Sequence, residues 1–312
     1  MWDEPAQFDR MDEVRRDPGA LASLWGRDGT VVLPIDERGS FPVEGETATD
    51  GWGTSQAVVA QGQPLASASQ PVLRLRVRAA AGAYDPARHW LLGDVEGRVV
   101  FAEATDRTGG STLRDASPLL PPAEAQAAAL AAALALWHAS EPRCPRCGDE
   151  STPSGGGSSR ECERCSRVLF PRTDPAVIVA VTDPDDRLLL GHQGAWPAGR
   201  YSVLAGFVEA GESLEQAVHR EVLEEAGVRL ASVAYVASQP WPFPRSIMLG
   251  FTARAATSEI QVDGVEIADA RWFDRDELVS AVRAGEVLLP GEASIAFRLI
   301  LEWLRSGAGQ QA

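Results

Sequence analysis

The chain has 312 residues and a mass of 33.3 kDa, the size of about two domains. Hydrophobic residues make up 45% and charged residues 23%, which excludes a mostly disordered chain, a coiled coil and a collagen-like fibre. Lys and Arg number 29 against 44 Asp and Glu, a net charge of −15 that gives no bulk attraction to polyphosphate or anionic membrane. Any phosphate must therefore be held locally, through a divalent cation.

In chain order, residues 1–120 carry short β-type runs between turn signals. Strands are expected at Thr30–Ile35, Ala57–Ala60 and Val72–Ala80. His89–Gly93 and Arg98–Ala102 read as a hairpin around Asp94-Val95-Glu96-Gly97. The first residues are acidic and lack an apolar core, so no secretory signal is expected, and the expected location is cytoplasmic. No run of about 18 apolar residues predicts a membrane span. Pro121-Pro122 opens an Ala/Leu-rich stretch, Ala123–Ser140, with the composition of one helix. Leu130, Leu134 and Trp137 are spaced to pack one face of it.

The four cysteines all lie between 144 and 165, spaced Cys144-x2-Cys147-x14-Cys162-x2-Cys165. Two close pairs across a short loop suit a tetrahedral thiolate zinc site. Four ligands leave no open position for water, so one structural zinc per subunit is expected. Two disulfides are the alternative; close pairs make poor staples, and no export signal precedes them.

Beyond the cysteines, Ala176–Val181 and Arg187–Gly191 read as strands around the turn Asp183-Pro184-Asp185-Asp186. Further strands are expected at Tyr201–Ala205, Val233–Ala237, Ile247–Ala253 and Ala270–Phe273. Helices are expected at Ser213–Ala226, stopped by Gly227, and at Ser294–Arg305. Gly307–Ala312 reads as a tail. Alternating strands and helices over this half predict an α/β (α+β) domain with its sheet between helices.

On the helix at 213–226, Glu221, Glu224 and Glu225 fall within an arc of about 100°. Three carboxylates on one stripe repel each other. Leu214, Val218 and Val222 form a neighbouring apolar stripe, so the acids belong at the edge of a cleft. One or more Mg²⁺ or Mn²⁺ ions relieve the repulsion, because both prefer oxygen ligands. A solvated acidic face is the bland alternative. Eleven residues past this helix lies Ser238-Gln239-Pro240-Trp241-Pro242-Phe243-Pro244-Arg245-Ser246. Prolines interleaved with aromatic residues make a stiff, extended wall that cannot be a central strand. Gln239, Arg245 and Ser246 are its candidate polar contacts.

The window Gly206–Val228 matches the Nudix box at Gly206, Glu212, Arg220, Glu221, Val222, Glu224, Glu225, Gly227 and Val228. The chain thus resembles the Nudix hydrolases. The segment 238–246 is similar to the SQPWPFPxS motif of their NADH pyrophosphatase subgroup, as is the four-cysteine module upstream. The resemblance runs from about Trp137 to Arg298, and more faintly back to Leu91-Leu92-Gly93. It implies a Nudix fold at 172–312, a zinc ribbon at 141–171 and an N-terminal β-rich domain at 1–140. It implies metal-dependent cleavage of NADH or NAD⁺ to NMNH or NMN and AMP, removal of NAD caps from RNA 5′ ends, and a homodimer. Glu221, Glu224 and Glu225 would take up metal and activate water, with Glu225 the first choice of base. Glu266 and the carbonyl of Ala205 would be further metal ligands, and Arg220 would pair with Glu212. Phe170, where the family commonly has Tyr, and Phe207 would stack on the nicotinamide side. Pro240, Trp241, Pro242, Phe243 and Pro244 would wall the substrate, and Ala296 would touch it through its backbone. His138, His192 and His219 are read as structural. The rival readings are a Nudix hydrolase of ADP-ribose or a diadenosine polyphosphate, and a non-catalytic NAD or RNA binder. The motif at 238–246 argues against the first and the complete glutamate set against the second.

Overall fold

A computed structural model of the chain describes residues 6, 8–45, 73–106 and 109–306. The expected strand at Ala57–Ala60 and the tail from Gly307 lie outside the described residues.

Helix α1 (Pro18–Trp25) starts where the Asp17 carboxylate accepts from the amides of Gly19 and Ala20. It precedes β1 (Val31–Asp36), β2 (Val43–Glu44), β3 (Arg74–Leu75), β4 (Arg78–Ala79), β5 (His89–Val95) and β6 (Arg98–Thr105). The single strand expected at Val72–Ala80 is thus two short pieces in different sheets: β3 pairs with β2, and β4 with β1. The hairpin β5–β6 is as expected, because Glu96 (φ 53°) and Gly97 (φ 82°) both accept the left-handed conformation that a tight two-residue turn demands. A four-stranded sheet in the order β4-β1-β6-β5 results, with β1 and β6 parallel. The short α2 (Leu113–Ala116) and the long α3 (Pro122–Ser140) follow. Most of the alanines of α3 are buried in one cluster with Leu33, Trp90 and Leu92, so its composition reflects close packing rather than filler.

β7 (Ser151–Ser154), β8 (Ser159–Cys162) and β9 (Val168–Leu169) form a small antiparallel sheet that carries the cysteines. His138 of α3 reaches it: Nε2–H donates to the Gly157 carbonyl (2.9 Å) and Nδ1 accepts from Arg160 (2.9 Å). The partners fix the neutral tautomer, since a carbonyl only accepts and a guanidinium only donates.

β10 (Asp174–Thr182), β11 (Leu188–Gln193), β12 (Leu204–Phe207), α4 (Leu214–Ala226), β13 (Leu230–Trp241), β14 (Ser246–Ala255), β15 (Ile267–Phe273), α5 (Arg275–Ala284) and α6 (Ile295–Ser306) complete the chain. Five strands lie in the order β13-β14-β10-β11-β15, and β12 pairs with β10. β10 is buried on both faces and its side chains alternate between them. Val177, Val179 and Val181 pack with Val218 and Val222 of α4. Ile178 and Ala180 pack with Leu278 of α5 and with Phe297 and Ile300 of α6. The sheet between helices is the expected one. The strand expected at Tyr201–Ala205 lies later, at Leu204–Phe207, with isolated Arg200–Leu288 and Gly191–Ser202 bridges before it. Among the described residues no helix is long and apolar enough to cross a membrane.

Candidate active site and metal-binding groups

The cysteines come together. Cys144 and Cys165 sulfurs are 3.7 Å apart, Cys147 and Cys162 3.5 Å, Cys147 and Cys165 3.8 Å. Four sulfurs about 2.3 Å from one tetrahedral zinc would be separated by about 3.8 Å. A disulfide needs about 2.05 Å, and all four cysteines are free. Backbone amides of Arg146 and Cys147 point at the Cys144 sulfur and help lower its thiol to about 6. Cys147 moves the other way: the Asp149 amide lowers it, but the Cys162 sulfur, burial and the Cys165 and Cys144 sulfurs together push it up to about 12. A metal would have to displace the proton that the crowded sulfurs retain.

The carboxylates sit differently. Ser213 caps α4 in a reciprocal capping box with Gln216, and Gly227 ends it at φ 71°. The helix thus occupies the interval expected. Its acids range from Glu225, 3% exposed, through Glu221, 9% exposed, to Glu224, which is open to solvent. Glu225 Oε2 is buried without a hydrogen-bond partner. Burial, then Glu221, Glu266, Asp263 and Glu224, push its carboxyl up to about 8. Burial, opposed by Arg220, also raises Glu221. Glu266, immediately before β15, adds to the negative field at both carboxyls, so the structure brings it near the cluster.

Arg220 holds this set together. It donates to Glu212 Oε1 (2.6 Å) and Oε2 (2.9 Å), to Glu221 (2.8 Å), to Glu224 (3.2 Å) and to the carbonyl of Phe207 (2.9 Å). The expected Glu212 pairing is therefore present, and that partner takes Glu212 down to about 2. Sequence reasoning missed the contacts to Glu221 and Glu224. The i, i+4 spacing of Arg220 and Glu224 was the signal available for the second. Gly206 is required where it stands: a Cβ there would lie 2.0 Å from the Glu221 carboxyl carbon. The backbone just after Ala205 thus runs against the acid cluster. An orphaned buried carboxylate, several acids facing it and a close backbone cradle suit a hard divalent cation. Among the described residues, only the four cysteines lie close enough together to count as a ready-made metal cluster. The glutamates are gathered but not converged.

At the sheet end beside this cluster, Phe207 pairs in register with Ala176, and Asp174 with Ser246. Phe170 and Phe207 are both exposed rings, 66% and 60%. The segment 238–246 is extended only as far as Trp241, the end of the edge strand β13, and residues 242–245 form the turn into β14. The continuous extended wall expected from the sequence is thus the end of a hairpin, and its prolines fit because an edge strand and a turn both spare their missing amides. Two expected polar contacts are engaged within the chain. Gln239 is buried, donating to the Ala293 carbonyl (2.6 Å) and accepting from the Ile295 amide (2.7 Å). Arg245 pairs with Asp174 (2.8 Å) and Glu141 (2.6 Å). Ser246 is buried at the start of β14, and Ala296 is buried in the first turn of α6. His192 Nδ1–H donates to the Arg200 carbonyl (2.8 Å), and His219 is exposed, so neither joins the acids.

A glycine-bordered loop leading into a helix with Arg220 and three glutamates, on a mixed sheet sandwiched by helices, defines a Nudix domain. The NUDIX domain family profile matches residues 172–290, and the chain belongs to the Nudix hydrolase family. It is similar to the NAD-capped RNA hydrolase NudC of Mycobacterium bovis, 36% identical over 304 residues, covering 95% of this chain and 92% of that protein. It is also similar to the human NAD-capped RNA hydrolase NUDT12, 42% identical over 194 residues, covering 58% of this chain. The match spans 42% of the human protein's length. Among solved structures, a Nudix hydrolase from Nitrosomonas europaea aligns with a TM-score of 0.43 and 20% identity over 54% of this chain and 93% of that one.

Proposed function

We propose that the chain is a divalent-metal-dependent hydrolase of the diphosphate bond in NADH and NAD⁺, releasing NMNH or NMN and AMP, and that it removes NAD caps from RNA 5′ ends by the same cleavage. The observation that carries the reading is Glu225, a buried carboxylate without a hydrogen-bond donor at Oε2 among Glu221, Glu224 and Glu266. The names of the bacterial and human relatives support the substrate class.

Glu221, Glu224, Glu225, Glu266 and the carbonyl of Ala205 are the groups proposed to hold Mg²⁺ or Mn²⁺. When bound, the ion offsets diphosphate charge and lowers the pKa of a coordinated water. Glu225 Oε2, which has no hydrogen-bond donor among the described residues, would accept a proton from such a water. Arg220 ties Glu212 of the preceding loop to Glu221 and Glu224 of the helix. Phe170 and Phe207 offer exposed faces to the nicotinamide. Zn²⁺ is the proposed occupant of the thiolate site. The proposed units are 1–140, 141–171 and 172–312, in a cytoplasmic homodimer.

One assay tests this. NADH, NAD⁺, ADP-ribose and NAD-capped RNA are incubated with the protein and Mg²⁺ or Mn²⁺, and the products are identified by mass. NMNH and AMP from NADH are expected. Faster cleavage of ADP-ribose than of any NAD species would reassign the substrate, and binding of NADH without turnover would make the chain a regulator.

A further inference from the structure

The turn end of the segment 238–246, unlike Gln239, is also held by residues that precede the Nudix domain. The Arg114 guanidinium of α2 lies over the Trp241 ring at 5.1 Å and over the Phe243 ring at 5.2 Å. The two rings meet edge to face at 5.2 Å, so one cation fixes the pair. Phe243 packs against the apolar cluster of the N-terminal sheet and α3. Arg245, two residues on, binds Glu141 at the C-terminal end of α3 and Asp174 at the start of β10. Three separate contacts therefore tie one short segment to the N-terminal half.

These ties border a cavity of about 780 Å³. One wall is α3, with Ala133, Leu136 and Trp137; the opposite wall is Trp241, Pro242 and Ile247. Pro171 and Arg172, next to the exposed Phe170, line it between the two. Glu141 and Arg245 also line it, one from each wall, and their ion pair spans the gap. The width of the cavity is thus set across the boundary between the two halves of the chain.

We infer that Arg114 and Glu141, both outside the matched Nudix domain, are positioning residues that hold the aromatic segment at the spacing its nucleotide substrate requires. Arg114 acts through Trp241 and Phe243, and Glu141 through Arg245. The inference rests on the proposed hydrolase reading and adds the N-terminal half to the determinants of that site. It also predicts a sign. An acid that merely faced an anionic substrate would weaken binding, so its neutralisation would lower KM. An acid that fixes the wall does the opposite.

The test is steady-state hydrolysis of NADH by the full chain and by Glu141→Gln, Arg114→Ala and Arg114→Lys, each checked by thermal melting. Glu141→Gln and Arg114→Ala are expected to raise KM by about threefold to tenfold, with kcat within about twofold of wild type. Arg114→Lys, which keeps a cation over the rings, is expected to recover part of the loss. A lowered or unchanged KM in Glu141→Gln would overturn the inference. So would a loss confined to kcat that follows the loss of folded protein. Absence of turnover in wild type would instead remove the hydrolase reading itself, and the two failures are thereby distinct.

Discussion

The chain offers two places for a metal, and they are built on opposite plans. The thiolate site is converged: the sulfurs of Cys144 and Cys147, ahead of β7, and of Cys162 and Cys165, around the β8–β9 turn, all lie within 4.8 Å of one another. Three pairs of them stand at 3.5 to 3.8 Å, near the edge length of a zinc tetrahedron. The carboxylate site is gathered and held open. Its acids span the range from buried to solvent-exposed, and the Arg220 guanidinium lies between Glu221 and Glu224. Short Cys side chains on tight backbone turns leave little freedom, so backbone geometry fixes the sulfurs. Glu side chains have three torsions, and like charges drive them apart. A structural ion needs the first plan, whereas a catalytic site that must also admit water and diphosphate suits the second.

The largest test of this contrast removes a thiolate. Cys162→Ser is expected to abolish stoichiometric zinc and unfold the ribbon, because structural zinc contributes on the order of 10 kcal/mol to small cysteine modules. Metal analysis of protein purified without chelator, followed by proteolysis across 141–171, checks it. Full zinc content in the variant would contradict the four-ligand site. Next in size, Glu225→Gln is expected to melt like wild type and to lose about 10³-fold in kcat under saturating Mg²⁺. Wild-type turnover would remove Glu225 from the mechanism. The two variants should therefore separate cleanly, one losing fold and the other only chemistry. Gly206→Ala sharpens the carboxylate side further. Its Cβ must displace Glu221 or the loop, and about 10²-fold is expected to be lost from kcat/KM. A Mg²⁺ titration checks whether the half-saturating concentration rises with it.

The legibility of the two sites in the sequence differs for the same reason. Cysteine spacing determines convergence, so 144, 147, 162 and 165 alone were enough to anticipate what the structure brings together. Glutamate spacing on α4 gave the stripe and its boundaries, yet not that Glu225 would be buried and Glu224 open. That asymmetry comes from the sheet packed against α4, which a helical repeat does not contain. The contacts of Gln239 and Arg245 were not legible either, because their partners Ala293, Ile295 and Glu141 lie 54 to 104 residues away in sequence. Their types suggested substrate contacts, and tertiary packing engages them within the chain. α1 and α5 were missed. α5 is short, and Asp274 caps it by accepting from the Glu277 amide, a cue the sequence did carry.

The smallest expected effect concerns how the thiolate region is attached. His138 is buried on α3, donating to Gly157 and accepting from Arg160, both within the cysteine-bearing sheet and its loop. Burial, reinforced by the Arg160 charge, lowers its pKa to about 4. Above pH 6.5 the ring is neutral in both folded and unfolded chains, so this residue gives no slope there. Between pH 6.5 and 4 the unfolded chain takes up a proton that the folded chain refuses. Stability therefore falls as pH falls through that window, by up to about 3 kcal/mol. Protonation would also place a second donor against the Arg160 guanidinium, which has no acceptor to offer. His138→Gln keeps one donor and one acceptor but does not titrate. Urea midpoints measured at pH 7, 5.5 and 4.5 should then decline less steeply in the variant than in wild type. Identical slopes would show that the junction between α3 and the ribbon is insensitive to acid and that other groups set the acid limit of the fold.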